Sequence, residues 1–465
     1  MSGDNIILVH QSTAYPPMGA LYLCDALEKS GIECRFVRCD TAPEELEKLI
    51  RSFRPAAIAM SVITSFDIPL FVNLSRHVKK VFTGMPVIWG GVHPSLNPEQ
   101  CAAEDFIDHV ITGQGEEALP EMALSIAKGG KPDRIVHGKR TRDLDAFSPR
   151  WEKLDLSKFV FLEQHSVHSQ GKIDDDKKAH IARKHVFYYL LTSRGCVYRC
   201  TFCSEPLAGV NNTGDGKPNW HAHSYEWVEN EVRRIKELVS SRGLSIDGIG
   251  IWDDMFWVDR KRAYRILDLL KRENLGYLIE ARADHLIKDD AALLRKLGDT
   301  GCMQVFVGAE SADQKTLDYL RKGTRVNDYR KIIKLGEKFK VAVRLSLIVG
   351  FPGETDESVN RTIDFSEQVT SESRYASISG PKIFTPYPGT VEYERAVKRG
   401  FVVPQNTLQW GRIHRKAENC LELYPWLKEN LEEDTIRRIE KVLSSTRELR
   451  GAKDQAKICE TKNAQ

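Results

Sequence analysis

Two successive runs of short apolar segments, each alternating with helix-like stretches, restrict the fold of this chain more than any single motif. The first run reads "NIILVH", "ALYLCDALEKSG", "ECRFVR", "PEELEKLIRSF", "AAIAMSV", "FVNLSRHVKKVF", "PVIWGG", then "HVITG" and "EALPEMALSIAKG". Strands joined through helices pair in parallel. Residues 1–140 are therefore expected to form a doubly wound, Rossmann-like α/β domain with its ligand at the carboxyl ends of the strands. Residues 141–184 turn polar and irregular and read as a linker or lid. The second run places strands at "VFYYLLTS", "GIGIW", "GYLIEARA", "MQVFVGAE", "VAVRLSLIVGF" and "YASISGPKIF". Six strands with helical patterns between them predict, for residues 185–395, an open (β/α)6 partial TIM barrel. Residues 396–465 are expected to form a small helical C-terminal region that includes the amphipathic "NLEEDTIRRIEKVLSSTREL".

Charge and hydropathy exclude some classes of partner. The 68 basic and 65 acidic residues nearly cancel, at +3, and no basic patch advertises a nucleic acid. No window approaches the roughly 20 apolar residues that span a bilayer, and the first residues lack the pattern of a secretory leader. A cytoplasmic location is expected. Its ten cysteines would be kept reduced there, so a close cysteine cluster reads as metal ligation rather than as disulfides.

Such a cluster occurs in "SRGCVYRCTFCSEP", directly after the first strand of the second run. Cys196, Cys200 and Cys203 are three thiols without a fourth. Three thiolates hold three irons of a 4Fe–4S cube and leave the fourth iron open to a small molecule. A zinc site completed by His185 or a remote histidine, or plain buried thiols, are the alternatives. The other seven cysteines, Cys24, Cys34, Cys39, Cys101, Cys302, Cys420 and Cys459, show no comparable spacing and read mostly as buried small residues.

"CVYRCTFC", with the aromatic Phe202 before its last cysteine, resembles the cluster loop of the radical S-adenosylmethionine (SAM) superfamily. "IWDDMF", "EARAD", "VGAES", "IVGFPGET" and "FTPYPGT" agree with that superfamily in order over roughly residues 185–395. The resemblance implies that SAM binds the open iron and is cleaved by one electron to a 5′-deoxyadenosyl radical. That electron would come from an external donor of flavodoxin or ferredoxin type. In "EARAD", Glu280, Arg282 and Asp284 alternate, which places all three on one face of a strand. By similarity, Glu280 and Arg282 are candidates for the SAM ribose or carboxylate, and Asp253 or Asp254 for its amine. Glu310 and Ser346 are further candidates, and Ile348 with Gly350 resembles the segment that backs the adenine. A structural salt bridge is the alternative for each carboxylate.

The first domain resembles the cobalamin-binding domain. Gly19, Ser61, Ile63, Gly90 and Gly91 fall on its anchor positions, with 41 residues between Gly19 and Ser61 and 26 between Ile63 and Gly90. Where the family's Asp and His stand, this chain has Ala14 and Pro16, and proline cannot ligate cobalt. The resemblance therefore implies base-off cobalamin without a histidine ligand. "GGVHPSLNP" and "VITGQGEEALPE" resemble the same domains, and their glycines let backbone approach the cofactor. His93 is expected against the cofactor tail or solvent, and Tyr15 or Trp89 either covers the lower cobalt face or packs in the core. A docking domain that has lost its ligand is the alternative.

Together the two resemblances imply a cobalamin-dependent radical SAM methyltransferase that passes methyl from methylcobalamin to an unactivated carbon. A peptide or protein residue is favoured as substrate over a small molecule. A non-methylating cyclase or ring-rearranging oxidoreductase, a methylthiotransferase and a non-catalytic cobalamin or SAM sensor are the rivals. The methylthiotransferase lacks support here, since its further cysteines and basic tail are missing. Specificity is expected in Gln164 to Lys184, the loops after the strands, Tyr387, and the tail with Trp410 and Trp426.

Overall fold

The computed structural model describes residues 4–443 apart from 14, 142, 157–160, 164–184, 205–219, 374 and 414–422. Ala14, Gln164 to Lys184, Cys420 and Cys459 thus lie outside the described residues.

The first sheet comprises β1 (Ile6–His10), β2 (Cys34–Arg38), β3 (Ala57–Ser61), β4 (Val87–Gly90), β5 (His109–Gly113) and β6 (Ile135–Gly138). All pairings are parallel, in the order β2-β1-β3-β4-β5-β6. The strands are apolar on both faces because both are covered. Ile7, Val9, Ile58, Met60, Val87 and Trp89 face one core, while Ile6, Leu8, Ala57, Ala59, Ile88 and Ile111 face the other. Helices Met18–Lys29 and Ala118–Ala127 cover the second face. The order reverses between β1 and β3, which opens a crevice at their carboxyl ends. Strand β6 was not legible in the sequence: "IVHG" is short and half-buried at the sheet edge.

The second sheet begins with β7 (Phe161–Glu163) and β8 (His185–Leu190). After β8 come the short pair β9 (Ser193–Gly195) and β10 (Trp220–Ala222), which bond to each other antiparallel as a separate ribbon. The sheet resumes with β11 (Gly248–Ile251), β12 (Gly276–Ala281), β13 (Cys302–Glu310), β14 (Ala342–Val349) and β15 (Ala376–Ile383). Six parallel strands run β8-β11-β12-β13-β14-β15, and β7 flanks β8 antiparallel. This is the open six-fold barrel. Two details differ from the sequence reading: part of the polar linker supplies β7, and "VFYYLLTS" breaks at Leu191 and Thr192 before β9 begins.

The C-terminal region fastens the two sheets together. Trp410 Nε1 donates to Gln100 Oε1 at 2.6 Å, Gln100 Nε2 donates to Pro404 O at 2.9 Å, and Thr407 N donates to Glu104 Oε1 at 2.9 Å. Trp426 Nε1 donates to Gly350 O at 3.0 Å beyond β14. One apolar cluster consequently runs from Trp89 of the first sheet through Trp410 to Trp426 and Phe351 of the barrel. Trp410 and Trp426 are core residues, not the substrate-facing side chains expected from the sequence. Their large apolar area is needed where two sheets and the tail meet.

The cysteine expectation also needs correction. Cys24 of helix Met18–Lys29 and Cys34 of β2 form a disulfide, with a Cα separation of 6.1 Å. Helix packing against the sheet edge brings the two together, which spacing alone does not reveal. Cys39, Cys101 and Cys302 are free and buried as expected. Among the described residues no helix is long and apolar enough to cross a membrane.

Gly138 closes β6 against the loop after β5, where an added Cβ would penetrate the Gln114 carbonyl and meet Thr112 O at 2.9 Å. Both obstacles are backbone. Gly138→Ala is expected to destabilise the protein by about 1–3 kcal/mol, read as a lower denaturation midpoint; an unchanged midpoint would refute the tight packing of that loop.

Candidate functional site

The three residues leading into Cys196 are each held by a different carboxylate. Asp253, buried just after β11, accepts from Thr192 N, Thr192 Oγ1 and Ser193 Oγ, each at 2.6 Å. Glu116 of the first domain accepts from Arg194 Nη1 at 2.6 Å. Asp254 Oδ2 accepts from the Gly195 amide at 3.1 Å. The cysteine-bearing excursion thus leaves β9 from a fixed point and returns at β10.

Within the excursion, Cys196, Cys200 and Cys203 are half-buried, and Cys203 N closes a turn on Cys200 O at 3.2 Å. Thr201, between them, is gripped from two sides. Its amide donates to Leu320 O at 3.0 Å, its carbonyl accepts from Glu392 N at 3.1 Å, and its hydroxyl donates to Glu392 Oε1 at 2.6 Å. Phe202 packs edge-on against Phe351, 5.7 Å between ring centres. Among the described residues no three Cys, His, Asp or Glu side chains converge closely enough to hold a single ion. A cube takes one thiolate at each of three separate irons and does not ask for that convergence.

The sequence-predicted polar residues divide into two groups around this loop. Asp254 and Glu280 keep water-accessible surface at the barrel mouth but sit in a recess walled by protein. Burial within the protein walls pushes Glu280 up to about 7, helped by Asp254 and opposed by Lys382. Burial also raises Asp254, against the Gly195 amide and Arg194. Asp253, by contrast, spends its oxygens on Thr192 and Ser193. Arg282 stacks on the Tyr198 ring at 3.7 Å, donates to Lys322 O at 2.6 Å, and pairs with Asp284 at 3.0 Å. Here the sequence reading is corrected: β12 ends at Ala281, Arg282 precedes helix Ala283–Asp299, and Asp284 lies in its first turn, off the strand. A preferred strand alternation cannot show where the strand stops.

Glu310 bends out of β13 at φ +64° and forms a buried ion pair with Lys322 at 2.8 Å. Gly308 leaves room for that pair, since a Cβ there would lie 2.5 Å from Glu310 Oε1 and 3.1 Å from Lys322 Nζ. Ser346 is buried and Ile348 half-buried in alternate positions of β14. Gly350, at φ +89°, has its amide bonded to Glu354 Oε2 at 2.6 Å. Lys322 and Lys382 were missed in the sequence, because only the folded barrel brings them to the carboxylates.

In the first domain, Gly19, Ser61, Gly90 and Gly91 line one cavity of about 160 Å³. Its walls are Leu8, Ala59, Ile88 and Ile111 of the sheet and Ala20, Leu23 and Leu119 of the covering helices. A cavity of that order, lined by apolar side chains, accepts a small aromatic ring. Gly91 adopts φ +95°, and a Cβ there would lie 2.8 Å from Val62 O. Ile63 is not in the lining: its side chain is 40% exposed beyond β3. Gln114, Glu116 and, from the second domain, Arg194 complete the wall.

His93 faces neither solvent nor the first-domain cavity. It is fully buried, its Nδ1 lies 3.0 Å from Thr64 Oγ1, its ring packs on Trp410, and burial pulls its pKa down to about 3. Trp89 is likewise core, donating from Nε1 to Ser75 Oγ at 3.0 Å. Tyr15 instead stays 39% exposed and packs on Tyr189 and Trp252, whose ring centres lie 5.8 and 4.8 Å away. The carboxyl ends of the two sheets therefore face one another.

Residues 5–123 match the B12 binding domain family, and residues 190–366 match the Radical SAM superfamily. Over 412 residues the chain is 26% identical to an uncharacterized methyltransferase of Pyrococcus horikoshii, covering 86% of this chain and 83% of that one. It is 22% identical over 425 residues to an anaerobic magnesium-protoporphyrin IX monomethyl ester cyclase of Cereibacter sphaeroides, covering 84% and 63%. In fold it resembles the radical S-adenosylmethionine methyltransferase TsrM of Kitasatospora setae, solved with cobalamin and a 4Fe–4S cluster. That likeness has a TM-score of 0.61 at 20% identity, over 85% of this chain and 75% of that one.

Two predictions follow from the geometry around the loop. The raised Glu280 pKa means that the folded chain keeps a proton the unfolded chain has lost between the ordinary carboxylate range and about pH 7. Stability therefore falls as pH rises through that window. Glu280→Gln should raise the melting temperature at pH 8 and leave it nearly unchanged at pH 4; equal shifts at both would overturn the pKa. Glu392→Ala, which strands the buried Thr201 hydroxyl, should cost about 1–3 kcal/mol in denaturant unfolding, with Glu392→Gln milder.

Proposed function

Because this chain belongs to the radical SAM enzymes that carry a B12-binding domain, we propose that it is a C-methyltransferase for an unactivated carbon, with a peptide side chain as favoured substrate. The reading is supported above all by one observation: Arg194, two residues before Cys196, lines the first-domain cavity. The cavity and the cysteine loop thus share one cleft.

The residues fit the three groups that such an enzyme requires. Cys196, Cys200 and Cys203 stand outside any disulfide on one anchored loop and would hold a 4Fe–4S cluster. Asp254 and Glu280, acidic and water-accessible within protein walls, would attract the amine and ribose of SAM. Asp253 would act on the loop instead, as its hydrogen bonds indicate. Arg282 and Glu310 would orient SAM from behind through their pairs with Asp284 and Lys322, beside Ser346, Ile348 and Gly350. The glycine-lined cavity would take the nucleotide tail of cobalamin.

Pro16 offers the cobalt no imidazole, and His93 is buried away from the cleft, so cobalamin would sit base-off. Tyr15, Ile63 and Phe66, exposed in the loops after β1 and β3, supply apolar cover at that edge. With Val197 of the cysteine loop they give the cleft an apolar rim, which suits an extended peptide. When bound, the cluster supplies the electron that cleaves SAM to a 5′-deoxyadenosyl radical, and cobalamin supplies the methyl group. The chain itself aligns the groups and excludes water from them.

A second reading is favoured by the similarity to the cyclase over 84% of this chain: both cofactors are retained, but no methyl is transferred.

Anaerobically purified protein is expected to give a cob(II)alamin electron paramagnetic resonance signal without nitrogen splitting. Turnover should release S-adenosylhomocysteine together with 5′-deoxyadenosine, and Cys200→Ala should abolish the latter. 5′-Deoxyadenosine without S-adenosylhomocysteine would favour the cyclase reading. Protein that retains its cluster but takes up no cobalamin would overturn both.

A further inference from the structure

The loop after β5 serves two sites at once. Gly113, Gln114, Gly115 and Glu116 line the first-domain cavity. The same loop holds the β9–β10 hairpin: Glu116 bonds Arg194, and Gln114 Nε2 lies 3.3 Å from His221 Nε2. Arg194 and His221 are cross-strand partners in that hairpin. The loop lies close against the opposite wall of the cavity. A Cβ at Gly115 would lie 2.9 Å from Leu23 Cδ2 on the opposite wall.

Arg194 is well committed. Its guanidinium lies over the Tyr22 ring at 4.8 Å, and the ion pair with Glu116 is largely withdrawn from solvent. A withdrawn ion pair tolerates the loss of one partner poorly, so the hairpin and the loop move together.

We propose that Arg194 is a positioning residue that couples the two cofactor sites. A corrinoid tail seated in the cavity fixes the Glu116 loop, and through Arg194 fixes the strand from which Cys196 leaves. Occupancy of either site then raises the affinity of the other, and by linkage the two effects are equal. The inference rests on the cobalamin reading above and adds to it a specific route.

The test uses the full-length chain under anaerobic conditions. Hydroxocobalamin is titrated by absorbance against protein with its cluster reconstituted and against the same protein before reconstitution. In the wild type, the reconstituted form is expected to bind about fivefold or more tightly. In Glu116→Gln that ratio should fall to near one, and Arg194→Lys should restore part of it relative to Arg194→Gln. The reduced cluster's paramagnetic resonance spectrum should also shift on cobalamin addition in the wild type and not in Glu116→Gln. Equal affinities in the two wild-type forms would overturn the coupling, a measurement that needs no variant. A ratio that persists in Glu116→Gln would overturn Arg194 as its carrier. Protein that binds no hydroxocobalamin in either form would overturn the cofactor reading itself, and the coupling with it.

Discussion

Everything at the barrel mouth depends on how one three-residue strand is held. β9 has only the short β10 as a ladder partner, yet the cysteine loop that follows it must start from a defined place. Side-chain carboxylates supply what the ladder does not. Hydrogen bonds to an ionised group contribute on the order of 1.5–3 kcal/mol each, and Asp253 alone accepts three. The grips come from two domains: Asp253 and Asp254 from the barrel, Glu116 from the first sheet. Thr201, held by Leu320 and Glu392, secures the same loop further along. The described start of the cysteine loop, without regular secondary structure, is thereby tied at both Ser193–Gly195 and Thr201.

The same mouth keeps some acids deliberately idle. Asp253 and Glu310 are consumed by neighbours, whereas Asp254 and Glu280 remain open to water. Their position within protein walls makes ionisation costly, and that cost is relieved when a cation arrives. A ligand carrying an ammonium or sulfonium charge, as in the proposed function, would be such a cation. Glu310 is held out of its strand at a positive φ, a conformation that costs roughly 1–3 kcal/mol for a residue with a side chain. The ion pair with Lys322 is what holds it there, and Gly308 is what admits the pair.

Features set by local pattern were legible in the sequence. The strands β1–β5 and the six parallel barrel strands follow from apolar periodicity, and the grouping of Gly19, Ser61, Gly90 and Gly91 follows from spacing. What depended on distant contact was not. Asp253 and Asp254 are adjacent and chemically identical, and only the position of β9 commits Asp253 wholly to the strand while Asp254, bonded to the Gly195 amide, also keeps surface toward the cleft. His93, placed after two glycines, reads as a contact for the cofactor tail or solvent, but Trp410, more than 300 residues away, covers it. Cys24 and Cys34, and Arg194 with Glu116, are pairings across packed elements that no spacing announces. Strand ends were the other failure: Asp284 obeys the alternation of β12 on paper, while the chain has already turned into a helix.

The C-terminal region bears on traffic through the cleft. Pro404, Thr407 and Trp410 are bonded to Gln100 and Glu104 of the first domain, and Glu392, a short way before them, is bonded to Thr201 of the barrel's cysteine loop. Swinging the sheets apart would break this buckle together with the Arg194 clasp on the hairpin. The cleft therefore behaves as a slot of set width rather than as a jaw. For any molecule bound there, that set width rather than a closing motion would define the fit.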